Sequence, residues 1–382
     1  MNTATPRVLT FTTLYPNAAQ PVLGIFVENR LRHLAASGEV QAQVVAPVPW
    51  FPSSAPAFGQ WGRFARAPKA EDRHGLRVWH PRYPVLPKIG MIVAPALLYA
   101  WTLPLVRRLH FDVIDAHYFY PDGVAAAMLA RTLGKKLVIT ARGTDVNLIP
   151  RYRLPRAQIR WAAQTAAGIC TVCEALKAPL LKMGVPDSKI RVLRNGVDLE
   201  GFRPMERQKS DAHTLLSVGL LIERKGHHLV IEALTRLPGI RLMIAGGGPL
   251  RGELEVLAQR LGVADRVRFL GEVPHDQLPA IYSAADALVL ASSREGWANV
   301  LLEAMACGTP VIATDIWGTA EVVAAPEAGL LVPERSAKAI ADGIQTLLAA
   351  LPDRRATRAY AERFSWEPTT QGQLDLFREV LA

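Results

Sequence analysis

The sequence predicts an α/β protein built from two doubly wound domains, each a parallel sheet covered by helices on both faces. Three observations lead there. The chain has 382 residues, more than one hydrophobic core usually holds. Short apolar runs alternate with amphipathic stretches along its whole length, which is the rhythm of βαβ units. Half of the residues are hydrophobic and a fifth are charged, a soluble globular balance that excludes wholesale disorder.

In the first half, strands are predicted at Val8–Thr12, Ala42–Ala46, Val113–Asp115, Lys136–Thr140 and Gly168–Val172. Helical patterns lie between them, as at Phe26–Ser37 and Asp122–Leu133. In the second half, strands are predicted at Thr214–Val218, Arg241–Ala245, Val267–Leu270, Ala287–Leu290, Pro310–Ala313 and Gly329–Val332. The matching helices are Leu229–Leu237, Leu250–Leu261, Gln277–Ala284, Val300–Ala306 and Ala337–Ala350. Asn195 to Asp211, with two glycines, Pro204 and a cluster of charges, reads as the linker. Two Rossmann-like domains facing a central cleft would bind ligands at the carboxyl ends of their strands. The domains are therefore placed at 1–194 and 195–362, with a last helix at 363–382 after the break at Phe364-Ser-Trp366.

Composition removes several classes of function. Three cysteines, Cys170, Cys173 and Cys307, cannot frame a disulfide scaffold, and the lone C-x-x-C has no second pair to complete a zinc site. The start of the chain lacks a secretory pattern, so a cytoplasmic setting is expected. The apolar run Ile89–Val106 is short for a membrane span and contains Pro95 and Pro104. No Asp-x-Asp metal clamp, G-x-S-x-G or P-loop occurs. Gly246-Gly-Gly-Pro249 imitates a dinucleotide fingerprint, but its third glycine position is Arg251. A nicotinamide dehydrogenase is thereby disfavoured.

The net charge of +10 is uneven. Up to Glu206 there are 26 basic and 13 acidic residues; beyond it there are 18 and 21. A solvated basic surface explains this, and so does an anionic membrane surface, given the Arg, Lys and aromatic mixture at Trp61–Lys69 and Arg73–Lys88. No nucleic-acid-binding motif accompanies the charge.

Two loops after predicted strands carry the chemistry. Ser217-Val-Gly219 leads to Arg224-Lys225-Gly226, where glycine permits close backbone approach and adjacent cations suit a diphosphate. A solvated basic turn is the plainer reading. The run Ser292-Ser-Arg-Glu295 to Glu303 sets two carboxylates, separated by seven residues, at a helix start. Ionised carboxylates are pure acceptors and suit the hydroxyls of a polyhydroxylated ligand. Between them the N–H groups of Gly296, Trp297, Ala298, Asn299, Val300 and Leu301 would face a phosphate. An acidic, capped surface helix is the plainer alternative here.

Taken in order, Asn195-Gly-Val-Asp198, Arg224-Lys225-Gly226, Gly246-Gly-Gly-Pro249, Val267-Arg-Phe-Leu-Gly271, Glu295-x7-Glu303, Ala304–Pro310 and Gly318–Glu321 resemble the retaining glycosyltransferases of family 4, of GT-B fold. Gly24-Ile-Phe26, His117 and Arg142-Gly-Thr-Asp145 extend the resemblance into the first half. It implies a nucleotide-sugar donor on the second domain and an acceptor on the first, with no cofactor and no metal. Glu303 would hold the ribose, Glu295 the donor sugar, and Lys225 with Arg224 the leaving diphosphate. Gly24 and Gly219 would approach the phosphate, and the loop at Glu272 and Val273 the base.

Two positions depart from the family. Leu220 stands where the family often has Arg, and Arg142 where it commonly has His, so a permanent cation replaces an imidazole. Arg142 can bind phosphate but cannot act as a base; His117 is the alternative polar group, or a buried structural histidine. The expected function is transfer of a sugar from a UDP- or GDP-sugar to a lipid-linked or membrane-proximal saccharide, peripheral on the cytoplasmic membrane face. Alternatives are a small soluble acceptor, a GT-B sugar-nucleotide epimerase, and a catalytically silent nucleotide-sugar-binding subunit.

Overall fold

The structure, a computed structural model, describes residues 5–86, 90–207 and 212–382. Lys88 and Ile89, and residues 208–211 of the expected linker, lie outside them. The chain forms two compact units: Met1–Asn195 together with Trp366–Ala382, and Gly196–Ser365.

The first unit holds an eight-stranded sheet. Across it run Ile190–Val192, Gly168–Thr171, Lys136–Ala141, Val113–His117, Arg7–Phe11, Gln41–Val45, Leu76–Trp79 and Ala70–Arg73. All neighbours are parallel except the last pair, a hairpin through Arg73↔Leu76. The central strands are buried along their length, so Val113–His117 and Lys136–Ala141 read as apolar runs and not as alternations. The apolar stretch near Ile89 becomes a helix over Gly90–Val106 that keeps both prolines inside it. Among the described residues no helix is long and apolar enough to cross a membrane. The helix Glu367–Leu381 belongs to this unit: Leu374, Leu376, Phe377 and Val380 pack with Val8, Leu34, Val138 and Cys170.

The second unit is a six-stranded parallel sheet: Val267–Gly271, Arg241–Ala245, Thr214–Val218, Ala287–Leu290, Val311–Thr314 and Gly329–Val332. Its core gathers Leu215, Leu242, Val289 and Ile312 from the strands with Val230, Leu254 and Ile344 from the helices. The stretch read as a linker is pinned here over much of its length. Arg358 donates to the carbonyls of Leu199 and Phe202, and Phe202 is buried edge-on to Tyr282 and His275.

Both sheets have a switch point, where successive strands begin to be added on the opposite side. In the second unit it lies between Thr214–Val218 and Ala287–Leu290, and in the first between Arg7–Phe11 and Val113–His117. Loops leaving the carboxyl ends of such strand pairs diverge and leave a crevice.

Candidate active site

In the second unit the two loops that flank the switch point are those that carry Gly219–Gly226 and Ala291–Ala298. Glycines bring them together. Gly226 has φ +72°, and a Cβ there would stand 2.1 Å from the Ala291 carbonyl oxygen. Gly246, at φ +147°, lies so close to the first loop that its Cβ would be 1.9 Å from the Gly219 oxygen. Only residues lacking Cβ allow three strand ends to approach this closely.

The charges then converge. Lys225 Nζ donates to Glu295 Oε1 at 2.7 Å, and Ser292 Oγ donates to the same oxygen at 2.7 Å. Arg224 Nη1 stands 3.4 Å from it and donates to the Arg294 carbonyl at 2.8 Å. Burial pushes the Glu295 carboxyl up, but the charges of Lys225 and Arg224 and these hydrogen bonds outweigh it, leaving it below the ordinary glutamate value. Glu295 is thus an ionised acceptor held in place, with two cations beside it.

Glu303 is arranged differently. It lies in the helix Asn299–Ala306, where Tyr282 OH donates to its Oε2 at 2.8 Å and His275 Nε2 is 3.9 Å from Oε1. Burial pushes its carboxyl above the ordinary value, and His275 and the Tyr282 hydroxyl offset only part of that. Tyr282 and His275 are partners that the sequence does not mark, and Ser292, which opens the run to Glu303, gains its role as a donor only here. Ser292 had a local signal, three residues before Glu295; Tyr282 and His275 reach Glu303 only through the fold.

The segment between the carboxylates is mixed. Leu301 departs from the expectation of ligand-facing N–H groups: its N–H donates to the Ala298 carbonyl at 3.0 Å and its side chain is core. Trp297 is buried and packs on Phe364, Ala298 is buried, and Asn299 and Val300 are half-buried. Gly296 is buried in the turn before them. Gly219, at φ +150°, underlies the Lys225 stem, with room for a Cβ only 3.3 Å from Cε. Glu272 folds over Gly247, where a Cβ would meet its Oε1 at 2.4 Å, and Val273 is half-buried beside it in sequence. Among the described residues no three His, Cys, Asp or Glu side chains are placed to hold a metal ion.

In the first unit His117 and Arg142 meet at the ends of adjacent strands. An Arg142 Nη2–H points at His117 Nδ1 over 2.6 Å, and His117 Nε2 is 3.1 Å from Asp115 Oδ2. A guanidinium only donates, so Nδ1 is the acceptor and the ring proton sits on Nε2, donated to Asp115. Burial, with Arg142 adding to it against the pull of Asp115, drags His117 down to about 4. Arg142 also donates to Asn195 Oδ1 at 3.0 Å and covers the Phe26 ring. Asp115 in turn accepts from Gln373 of the last helix, which accepts from Arg30. Asp145 closes the Arg142–Asp145 turn by accepting the N–H groups of Phe119 and Gly143, each at 2.7 Å. Gly24, at φ +65°, packs directly on Leu14 after the first strand. Cys170 and Cys173 are buried, the Cys170 thiol being pushed up to about 11 by burial.

Comparison with known proteins fits this geometry. Residues 200–364 match the model for glycosyl transferases group 1, and residues 23–200 that for Glycosyltransferase Family 4. The chain is 32% identical over 310 residues to a D-inositol 3-phosphate glycosyltransferase of Saccharomonospora viridis, covering 72% of this chain and 71% of that one. It is 29% identical over 361 residues, 88% of each chain, to a Bacillus subtilis protein named provisionally as the teichuronic acid biosynthesis glycosyltransferase TuaC. Among solved structures, sucrose-phosphate synthase from Thermosynechococcus elongatus has a TM-score of 0.80 at 22% identity, over 98% of this chain and 99% of its own. Anabaena HepE in complex with UDP and glucose has 0.73 at 19%, over 98% and 100%. The chain belongs to the family 4, group 1 glycosyltransferases of GT-B fold, which move a sugar from a nucleotide-sugar donor to an acceptor.

Proposed function

We propose that this chain is a retaining, metal-independent hexosyltransferase that uses a UDP- or GDP-sugar, with a lipid-linked saccharide as acceptor. The observation that carries the donor half is the meeting of Arg224, Lys225, Ser292 and Glu295 at the switch point of the second unit. A departing nucleoside diphosphate gains negative charge, and two cations fixed beside its path stabilise it without reorganisation. Glu295 receives hydroxyls of the transferred sugar. Glu303, with the Tyr282 hydroxyl on Oε2 and the His275 imidazole 3.9 Å from Oε1, receives those of the ribose. Glu295 is held by Lys225 and Ser292 on one oxygen, which suits an acceptor of hydrogen bonds better than a nucleophile. Retention then follows from departure and attack on the same face, through an ion-pair-like transition state.

The acceptor half rests on the first unit's surface. Trp50 is exposed by 56%, and Phe58 and Trp61, exposed by 48% and 42%, stand close in sequence to Arg63 and Arg66 at the end of the helix Gly59–Arg66. Aromatic rings beside cations suit the headgroup layer of an anionic membrane. We place the enzyme peripherally on the cytoplasmic face, where such an acceptor would be met.

The test is a thermal-shift screen of wild type and Glu303→Ala against nucleotides and nucleotide sugars. Stabilisation by one diphosphate family, lost in the variant, is expected and identifies the base. No shift of wild type with any of them would remove the donor-site assignment.

A further inference from the structure

We infer that Glu295 sets the site's preference for intact donor over free nucleoside diphosphate and so drives product release. The inference rests on the donor-site assignment above and adds a function to it. Lys225 reaches its partner along a fixed course: the stem crosses Gly219 and the ammonium ends 2.7 Å from Glu295 Oε1. Arg224 is tied by its own bond to the Arg294 carbonyl, 3.4 Å from that same oxygen. A buried carboxylate therefore occupies the cations that a diphosphate requires.

A phosphate oxygen bound to Lys225 Nζ at ordinary hydrogen-bond distance comes within roughly 5.5 Å of Glu295 Oε1, even with the three atoms in line. Two anions then share one ammonium. The carboxylate loses part of its compensation, and a buried charge left short of partners is costly. An intact nucleotide sugar offsets this loss, because its hydroxyls donate to Glu295. A free nucleoside diphosphate brings the negative charge and no such donor. Glu295 thus opposes the product more than the substrate: both set phosphates on the same cations, but the freed terminal phosphate brings a further negative charge beside the carboxylate. Ser292, a neutral donor to Oε1, holds the carboxylate in place in either state without supplying charge.

The experiment is calorimetric titration of wild type, E295Q and K225M with UDP, GDP, inorganic pyrophosphate and the corresponding UDP- and GDP-sugars. Glutamine keeps the shape and removes the charge. E295Q is expected to bind the diphosphates and pyrophosphate about tenfold more tightly than wild type, as for removal of one like charge at this range in a partly buried site. It should bind the nucleotide sugar no better, and K225M should bind all of them more weakly. Should E295Q fail to fold, E295A makes the same charge change. Equal or weaker diphosphate binding by the charge-removed variant, with wild type binding normally, overturns the inference and leaves the donor site standing. Absence of binding in every variant overturns both.

Discussion

Replacing Gly226 by alanine should disable the enzyme while leaving it folded, and the structure gives the size of the effect. Gly226 ends the turn Glu223–Lys225 and begins the helix His227–Ala233 at φ +72°. A left-handed alanine costs about 1–2 kcal/mol. The larger consequence is steric, because the new Cβ would lie 2.1 Å from the Ala291 oxygen and 2.9 Å from its carbon. Relaxing that contact to ordinary carbon–oxygen separation moves the two loops apart by roughly 1 Å. Ser293 N–H to Arg224 O at 2.8 Å and Lys225 to Glu295 at 2.7 Å both span that gap, so both would be stretched past hydrogen-bonding length. Misplacement of this size costs on the order of 100-fold in turnover. Gly239→Ala is the control: its φ is +74°, and a Cβ there meets nothing within 4 Å. It bears the backbone cost alone, a Tm loss of about 2–6 °C, and keeps full turnover. Melting curves and initial rates of both variants decide the matter. A Gly226→Ala protein with the control's Tm and wild-type turnover would refute the argument that this glycine sets the Lys225–Glu295 geometry.

Two further outcomes are expected. Wild type should pellet with phosphatidylglycerol vesicles at low salt and less so at high salt, and Phe58→Ala with Trp61→Ala should reduce pelleting several-fold; unchanged pelleting would argue against this surface as the contact. His117, whose ring nitrogens face Arg142 and Asp115, should show no NMR titration between pH 5.5 and 8, and an inflection near 6.5 would contradict the buried network. Because its folded value is lowered to about 4 from 6.5, the unfolded chain binds the extra proton between them; its contribution to stability is complete above pH 6.5 and is lost as pH falls through that window.

Much of the fold was legible because buried parallel strands are short apolar runs bounded by turn residues. Thr214–Val218, Arg241–Ala245, Ala287–Leu290 and Gly329–Val332 form as the pattern predicts. Elements with a weaker apolar signature were not legible. The strand Ala70–Arg73 is a polar edge, its partner Leu76–Trp79 is only four residues long with Leu76 and Val78 buried, and the helix Arg153–Thr165 is so rich in basic residues that its buried Ile159 and Ala162 do not stand out. Periodicity also could not show that Asn195 to Arg207 is largely attached to the second unit, because Arg358, which fastens it, lies more than 150 residues away. The same limit applies to the site. Glu295 and Lys225 carry local signals, whereas Tyr282 and His275 become partners of Glu303 only when a helix and a loop pack against Phe202.

The two carboxylates show why residue type and spacing underdetermine chemistry. Glu295 and Glu303 share one short segment, the first buried and the second half-buried, yet their ionisation is pushed in opposite directions. The cause is position relative to the switch point. Glu295 lies in the loop at the strand end, so it faces the loop from the neighbouring strand across the divergence, and that loop carries the cations. Glu303 sits on the fifth residue of its helix, beyond the first turn where the helix dipole favours an anion, against Tyr282 of an adjacent helix. One carboxylate therefore answers to two adjacent cations, and the other to a tyrosine hydroxyl with an imidazole 3.9 Å away. A ligand with a diphosphate and two sets of hydroxyls matches that division. A bare phosphate matches only its first half, and it does so in competition with Glu295.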